Sequence, residues 1–196
     1  MANRALTGEN GSMTAQTDIE ARWTAYAKDF TAVVDQVTDW HAQTPCAEWD
    51  AAQLLEHMVT AQRDFAARNG REVPIFDGSR SMDRRVQWIK HSAAIQALAG
   101  DKSFVNQTMS TALGQSTVGD ALLRFHGFDL VVHRWDLGRS QGIDVQFTDV
   151  EMDRLEATLD AFGDRAYTPG ILAEPVQVAE DASRQQRLLA RMGRKG

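Results

Sequence analysis

Hydrophobic residues recur three or four positions apart along most of the chain. From about Asp18 to Trp40 they alternate with charged residues in this way. Residues at this spacing share one face of an α-helix, so the pattern predicts a long amphipathic helix. Its apolar stripe consists of Ile19, Trp23, Tyr26, Phe30, Val33, Val34 and Val37.

The second predicted helix begins after Asp50 and ends near Gly70. Asp50 and Gln53 have the spacing of a capping box, in which each side chain bonds a free backbone amide of the first turn. Helices joined by a short link normally pack antiparallel, which predicts contact between the first two helices. The apolar residues of the second helix are Leu54, Leu55, Met58 and Phe65, with His57 on or beside that stripe.

The middle of the chain contains a third helix and a break in the helical period. Residues 81–98 predict a helix that Gly100 ends, with a stripe of Val86, Ile89, Ala93 and Leu98. Residues 101–117 lose the period, which indicates a long crossover with a small β-hairpin.

The fourth helix opens at Thr117, with Asp120 at capping-box spacing, and runs to about Ser140. It is apolar on more than one face, so we expect it to be central. Thr148 caps a fifth helix that reaches Phe162. An extended arm follows over 167–180, and a short last helix covers 181–192.

These elements predict an all-α protein with one domain over residues 18–196, preceded by a disordered extension over 1–17. The net charge of -6 disfavours nucleic acid as a partner, because phosphate binding needs a basic face. No apolar run approaches the roughly 20 residues that span a bilayer, and the polar N-terminus is unlike a signal peptide. The single cysteine, Cys46, excludes an intramolecular disulfide. A cytoplasmic protein is the expectation.

Three side chains on the second and fourth helices suggest a metal site. Asp129 and His133 are four residues apart, so they point to the same side of the fourth helix. With His57 they would supply two nitrogens and one carboxylate oxygen, a common ligand set for zinc, nickel or ferrous iron. The alternative is a hydrogen bond from His133 to Asp129, with His57 as an ordinary core histidine.

Further residues near this set have predicted roles. His126, one turn before Asp129, is expected to line the pocket or pair with the carboxylate, and a fourth-ligand role stays open. Asp136, three residues after His133, can accept the ring N–H that a metal-bound imidazole leaves free; its alternative is a salt bridge with Arg139.

The remaining candidates have simpler interpretations. Trp135 is expected in the core. Cys46 precedes a helix start, where a thiol pKa can fall, but a packing role is favoured over a nucleophile. His41 and His91 have no carboxylate at ligand spacing on an apolar face, so both are predicted at the surface.

Two segments resemble a known family. "TPCAEWDAAQLLEHM" at 44–58 and "DLVVHRWDLGRSQG" at 129–142 look like the signatures of the DinB/maleylpyruvate-isomerase metal-binding superfamily. The tail "DASRQQRLLARMGRKG" at 181–196 is similar to that of an actinobacterial branch of metal-binding proteins. The resemblance implies a DinB-like four-helix bundle with one long crossover, here with a C-terminal helical extension.

The resemblance also implies a cofactor and a chemistry. It implies one divalent metal, zinc or nickel, with the family's ligands falling on His57, Asp129 and His133. Many relatives have histidine where this chain has Asp129, and the maleylpyruvate isomerases have glutamate. Known members are isomerases or transferases that use a low-molecular-weight thiol, mycothiol in actinobacteria. The full isomerases carry a second domain, which is not expected here, so the broader class is kept.

Three hypotheses follow. The first is a metal-dependent enzyme that transfers a small-molecule thiol, mycothiol for example, to an electrophilic substrate. The second is a hydrolase that uses metal-bound hydroxide, with His126 as the general base and so as the candidate catalytic residue. The third is a metal-stabilised bundle that binds a small molecule or a partner without catalysis. An apolar face on the first helix is compatible with a homodimer.

Overall fold

Four helical segments form a bundle in the computed structural model, which describes residues 8–75 and 83–195, with the side chains of 8–18 outside the description. They are α1 (Gly8–Val34), α2 (Ala51–Arg68), α3 (Arg84–Gly100) and a composite helix of α5 (Val118–Ala121), a π-helical turn (Leu122–His126) and α6 (Gly127–Ser140). The all-α prediction is confirmed.

The crossover and the C-terminal part complete the fold. The crossover contains the short helix α4 (Lys102–Val105) and an antiparallel hairpin of β1 (Thr108–Thr111) and β2 (Gly114–Thr117), in which Thr108 pairs with Thr117. The predicted hairpin is therefore confirmed. After α6 come α7 (Asp149–Phe162), a 3₁₀ turn (Gly163–Tyr167) and α8 (Arg184–Arg191).

The helix starts agree with the capping pattern. Asp50 and Gln53 form the predicted capping box at α2, and Thr148 caps α7 as expected. The apolar stripe predicted for the first helix is buried from Ile19 to Val37, although α1 itself ends at Val34. Trp23 and Phe30 of this stripe are among the most deeply buried large side chains of the described residues.

The start of α1 differs from the prediction. The helix begins at Gly8, about ten residues before the predicted start, so residues 8–17 of the predicted disordered extension are helical. Residues 1–7 lie outside the described residues. The division of the chain near residue 17 stays a prediction.

The prediction that α1 packs against α2 is wrong. Helix α1 packs mainly on α3 and α6, and α2 also packs on α6 and α3, so α1 and α2 lie across a diagonal of the bundle. The physical reason is the link between them. Because α1 ends at Val34 and α2 begins at Ala51, the link is long enough to cross the end of the bundle.

The predicted inward face of α3 is also wrong. Val86 and Ile89 are 41% and 52% exposed, whereas the buried residues of α3 are Trp88, His91, Ile95 and Ala99. The buried set also has helical spacing, but the apolar pattern does not predict it because His91 is polar. His91 is 1% exposed, with Nε2 2.9 Å from Gln62 Oε1, so the surface position predicted for it is also wrong.

No helix of the described residues has both the length and the apolar character needed to cross a membrane.

We expect His91 to make stability depend on pH. Burial, and to a smaller extent the charge of Arg63, lowers the pKa of His91 from 6.5 to about 4. The folded protein thus disfavours the protonated ring, so stabilisation is complete above about pH 6.5 and is lost as the pH falls towards 4. Between pH 7 and pH 5 the unfolding free energy of the wild type should fall by on the order of 2 kcal/mol more than that of His91→Gln. Urea titrations at both pH values measure this, and equal losses in the two proteins would contradict it.

Candidate metal centre

Two imidazoles face each other between α2 and α6. The ring centroids of His57 and His133 are 5.5 Å apart in an edge-on arrangement. The Trp49 ring stacks on His57 at 4.2 Å and lies 5.8 Å from His133. Trp49 immediately precedes the N-cap of α2, so the capped start of the helix places the indole against His57, about two turns further on.

The orientation of His133 is set by Asp136. Asp136 is fully buried, and its Oδ2 accepts a hydrogen bond from His133 Nδ1 at 2.9 Å. The predicted hydrogen bond between these residues is confirmed. Because Nδ1 is occupied by this bond, Nε2 is the nitrogen of His133 that remains available to a ligand.

Arg194 is the second partner of Asp136. Its Nη2 lies 2.9 Å from Asp136 Oδ2 and its Nε lies 3.2 Å from Oδ1, a two-pronged contact between side chains that are 5% and 0% exposed. Nη2 also lies 3.2 Å from Cys46 Sγ, and Nη1 donates to the Met192 carbonyl at 2.7 Å. One guanidinium therefore joins the C-terminus, α6 and the loop before α2.

A glycine turn directs Arg194 into the bundle. Gly193 follows α8 with a φ of +80°, and the amides of Gly193 and Arg194 bond the carbonyls of Ala190 and Leu189 at 3.0 Å each. This is a Schellman motif, which reverses the chain after a helix. A Cβ on Gly193 would lie 2.5 Å from the Cβ of Ala173, so glycine is required for space as well.

Asp129 lies one turn before His133 and lacks a strong partner. Its side chain is 31% exposed, and its nearest ionisable contact is His126 Nδ1 at 3.9 Å. Burial raises the pKa of Asp129, and the charges of His133 and Arg194 offset only part of that rise. Within the described residues, neither the Asp129 carboxylate nor the His57 ring makes a side-chain hydrogen bond.

His126 lies one turn before Asp129, with its Nδ1 3.9 Å from Asp129 Oδ2. It is 9% exposed and packs edge-on against Phe65 at 4.8 Å, and its Nδ1 has no hydrogen-bond partner in the described part of the chain. Burial lowers its pKa to about 4, with smaller contributions from Arg68 and His57. His126 is therefore a neutral imidazole at pH 7 beside Asp129, and its predicted role in a pocket stays a prediction.

The protonation states suit cation binding. Burial and then the neighbouring His133 lower the pKa of His57 to about 4, so this ring is neutral at pH 7 and its nitrogen lone pair is free. Burial alone would raise the pKa of Asp136, but the hydrogen bond from His133 and the charge of Arg194 outweigh it and lower the pKa. Asp136 is thus a carboxylate at neutral pH.

Cys46 is a thiol rather than a thiolate. Burial raises its pKa to about 11, and the charge of Arg194 offsets part of this. The favoured packing role agrees with this finding. Trp135 is 5% exposed and His41 is exposed, both as predicted. The alternative salt bridge of Asp136 with Arg139 is not formed among the described residues, since Arg194 takes that place.

Two donor sets can be compared as metal sites. The first set is Cys46, His133 and Asp136. Among the His, Cys, Asp and Glu residues of the described ranges, these three form a group whose ligand atoms lie within 4.8 Å of one another. However, Arg194 already bonds two of them. A cation placed among these atoms would be repelled by the buried guanidinium and would have to displace it.

The predicted set of His57, Asp129 and His133 has charges better suited to a cation than the Cys46 set has, but its ligand atoms lie further apart. Imidazole nitrogens bind zinc at about 2.0–2.1 Å, so two rings on one ion have centroids roughly 5 Å apart, close to the 5.5 Å observed for His57 and His133. The ligand atoms of His57, Asp129 and His133 do not all fall within the 4.8 Å that joins the other set. At least one of these ligand atoms would therefore have to move closer to the others when a metal binds.

Arg194 should contribute strongly to stability. Replacing it with glutamine leaves the buried Asp136 charge with His133 as its main partner, which should cost about 3–5 kcal/mol of unfolding free energy. The matched control is Lys195→Gln at the exposed neighbouring position. Chemical denaturation measures both. If Arg194→Gln were as stable as Lys195→Gln, the buried contact would not be formed.

Comparisons with known proteins agree with this architecture. No curated protein and no solved structure gives a significant match. The model of one family, described as the mycothiol maleylpyruvate isomerase N-terminal domain, matches residues 21–138, which include His57, Asp129, His133 and Asp136 but not Arg194. Since this match covers more than half of the chain, the protein belongs to the mycothiol maleylpyruvate isomerase N-terminal domain family, a DinB-like family of metal-binding helical bundles.

Proposed function

We propose that this protein is a divalent-metal-dependent enzyme that transfers or isomerises small electrophilic substrates with the help of a low-molecular-weight thiol. His57, Asp129 and His133 would hold the metal, zinc or nickel. The observation that carries the proposal is the pair of opposed imidazoles: the His57 ring is neutral at pH 7, and the Nδ1 of His133 is already hydrogen-bonded to Asp136. The family description names mycothiol, which makes it the first thiol to test.

A divalent cation in this site would act as a Lewis acid that lowers the pKa of a bound thiol, so that the thiolate is present at neutral pH. Neighbouring residues of the chain already orient the two imidazoles. Asp136 and Arg194 hold the His133 ring in one orientation, and the Trp49 indole restricts His57 by stacking on it. Such supporting contacts reduce the cost of bringing ligands together.

The reactive thiol is expected to come from a small molecule. Cys46 is the single cysteine of the chain, and its raised pKa keeps it protonated at neutral pH. Its sulfur is also held by Arg194 at 3.2 Å. Cys46 is therefore poorly suited to attack a substrate, and it does not compete with an external thiol.

A second candidate function rests on His126. Its neutral ring and its free Nδ1, 3.9 Å from Asp129 Oδ2, suit a general base that activates water. The protein would then be a metal-dependent hydrolase. The thiol hypothesis is preferred because the matching family is described by a mycothiol-using isomerase.

Metal content tests the ligand assignment. Purified wild type should bind close to one equivalent of zinc or nickel, measured by elemental analysis after dialysis. His57→Ala should lower the affinity by at least ~100-fold, since loss of a ligand should exceed the 10–100-fold loss seen for supporting residues. His41→Ala is the matched control, because His41 is exposed and outside the site. Equal metal content in the two variants would refute the assignment.

The thiol requirement separates the two candidate functions. With the metal-loaded protein and an electrophilic substrate such as maleylpyruvate, turnover should require mycothiol and should be lost in His133→Ala. His126→Gln should retain most of a thiol-dependent activity, because this mechanism does not need His126 as a base. Hydrolysis of an ester substrate without thiol, abolished by His126→Gln, would instead support the hydrolase.

A further inference from the structure

A pocket lies on the other side of α6 from His133. It has a volume of about 430 Å³, is partly open to solvent, and is bordered by α1, β2, α5, the π-helical turn, α6 and α7. Helix α6 contributes Gly127, Phe128 and Val131 to it. These positions face away from Asp129 and His133, as the helical period requires. The pocket is therefore distinct from the candidate metal centre.

The pocket is lined by more arginines than carboxylates. Arginines 22, 124 and 154 line it, together with the carboxylates of Asp120 and Glu151. Glu151 is already paired, since its two oxygens accept from Arg134 at 2.9 and 3.1 Å. Asp120 accepts a hydrogen bond from the Thr117 hydroxyl at 2.8 Å.

Two of the arginines have no carboxylate partner. Arg124 and Arg154 form no ion pair within the part of the chain that the structure describes. This excess of positive charge is unusual in a chain with a net charge of -6. Because the Glu151 charge is neutralised by Arg134, an anion entering the pocket would meet two guanidinium groups that no carboxylate competes for.

Arg154 is held in place by Tyr26. Its Nη1 donates to the Tyr26 hydroxyl at 2.6 Å, and its guanidinium carbon lies 5.9 Å from the centre of the tyrosine ring. The ring itself lies close against α6, where a Cβ on Gly127 would be 2.9 Å from Tyr26 Cε2. Gly127 thus leaves room for the Tyr26 ring, and the hydroxyl of Tyr26 holds Arg154 in place.

The rest of the lining is mixed, with polar side chains from Gln115, Ser116 and Thr158 and an apolar part. Leu123, Phe128, Val131 and Leu155 lie beside the arginines. Pockets of roughly 300–1,000 Å³ that combine apolar walls with a few charged groups are typical small-molecule sites. We propose that this pocket binds a small organic anion, a carboxylate or phosphate monoester with an apolar body, through Arg124 and Arg154.

Calorimetry with simple probes tests the proposal. Benzoate and phenyl phosphate represent the two anionic groups, and benzyl alcohol is the neutral analogue. At low salt at least one of the anions should bind saturably to the full chain, and benzyl alcohol should bind at least ~10-fold more weakly. The Arg124→Gln/Arg154→Gln double variant should lose about tenfold or more in affinity for that anion. Arg139→Gln, which removes an exposed arginine of α6 outside the pocket, should bind as the wild type does.

A parallel titration excludes binding at the metal centre. His57→Ala should retain the affinity for the anion, because His57 lies on the other side of α6. Which of the two probes binds more tightly identifies the anionic group. The proposal is overturned if neither anion binds saturably, if the arginine double variant binds as well as Arg139→Gln, or if His57→Ala abolishes binding.

Discussion

The buried carboxylate of Asp136 is the constraint on which the candidate site depends. A charge with no exposure is costly unless its hydrogen bonds are satisfied, and here His133 and Arg194 satisfy them together. The same contacts decide which nitrogen of His133 is free and which residue holds the Cys46 sulfur. A local cluster thus ties α6 to the loop before α2 and to the turn after α8.

This constraint also explains why the most compact donor cluster is not the preferred metal site. The arginine that brings Cys46 and Asp136 together supplies the positive charge that a metal would otherwise bring. The less compact set of His57, Asp129 and His133 has two imidazoles, of which the His57 ring is neutral at pH 7, and an under-paired carboxylate. Its electrostatics therefore favour a cation, although the side chain of Asp129 reaches less far than a glutamate side chain would.

Helix α6 contributes to two proposed sites, one for a cation and the other for an anion. One face carries Asp129 and His133, and the other contributes to the arginine-lined pocket. The π-helical turn before it accommodates one additional residue per turn, a feature that is frequent at functional sites. Through this turn His126 faces the candidate metal centre, whereas Leu123 and Arg124 line the pocket.

Local patterns predicted more of the molecule than distant contacts did. The capping box at Asp50, the α1 stripe and the bond between His133 and Asp136 depend on residues within a few turns of one helix, so spacing was sufficient. The inward face of α3 was missed because a buried histidine paired with Gln62 resembles a surface residue in sequence. Arg194 was missed because no spacing rule links it to Asp136 across the chain; the glycine before it, after an amphipathic helix, was the available signal.

X-ray absorption spectroscopy of the metal-loaded protein tests the central claim most directly. Zinc–sulfur bonds are about 2.3 Å long, whereas zinc–nitrogen and zinc–oxygen bonds are about 2.0–2.2 Å, so the first coordination shell distinguishes the two donor sets. With zinc bound by His57, Asp129 and His133, the spectrum should contain only the shorter distances, with imidazole scattering from two rings. A protein-derived sulfur in the shell, lost in Cys46→Ser, would contradict the account and assign the metal to Cys46, His133 and Asp136.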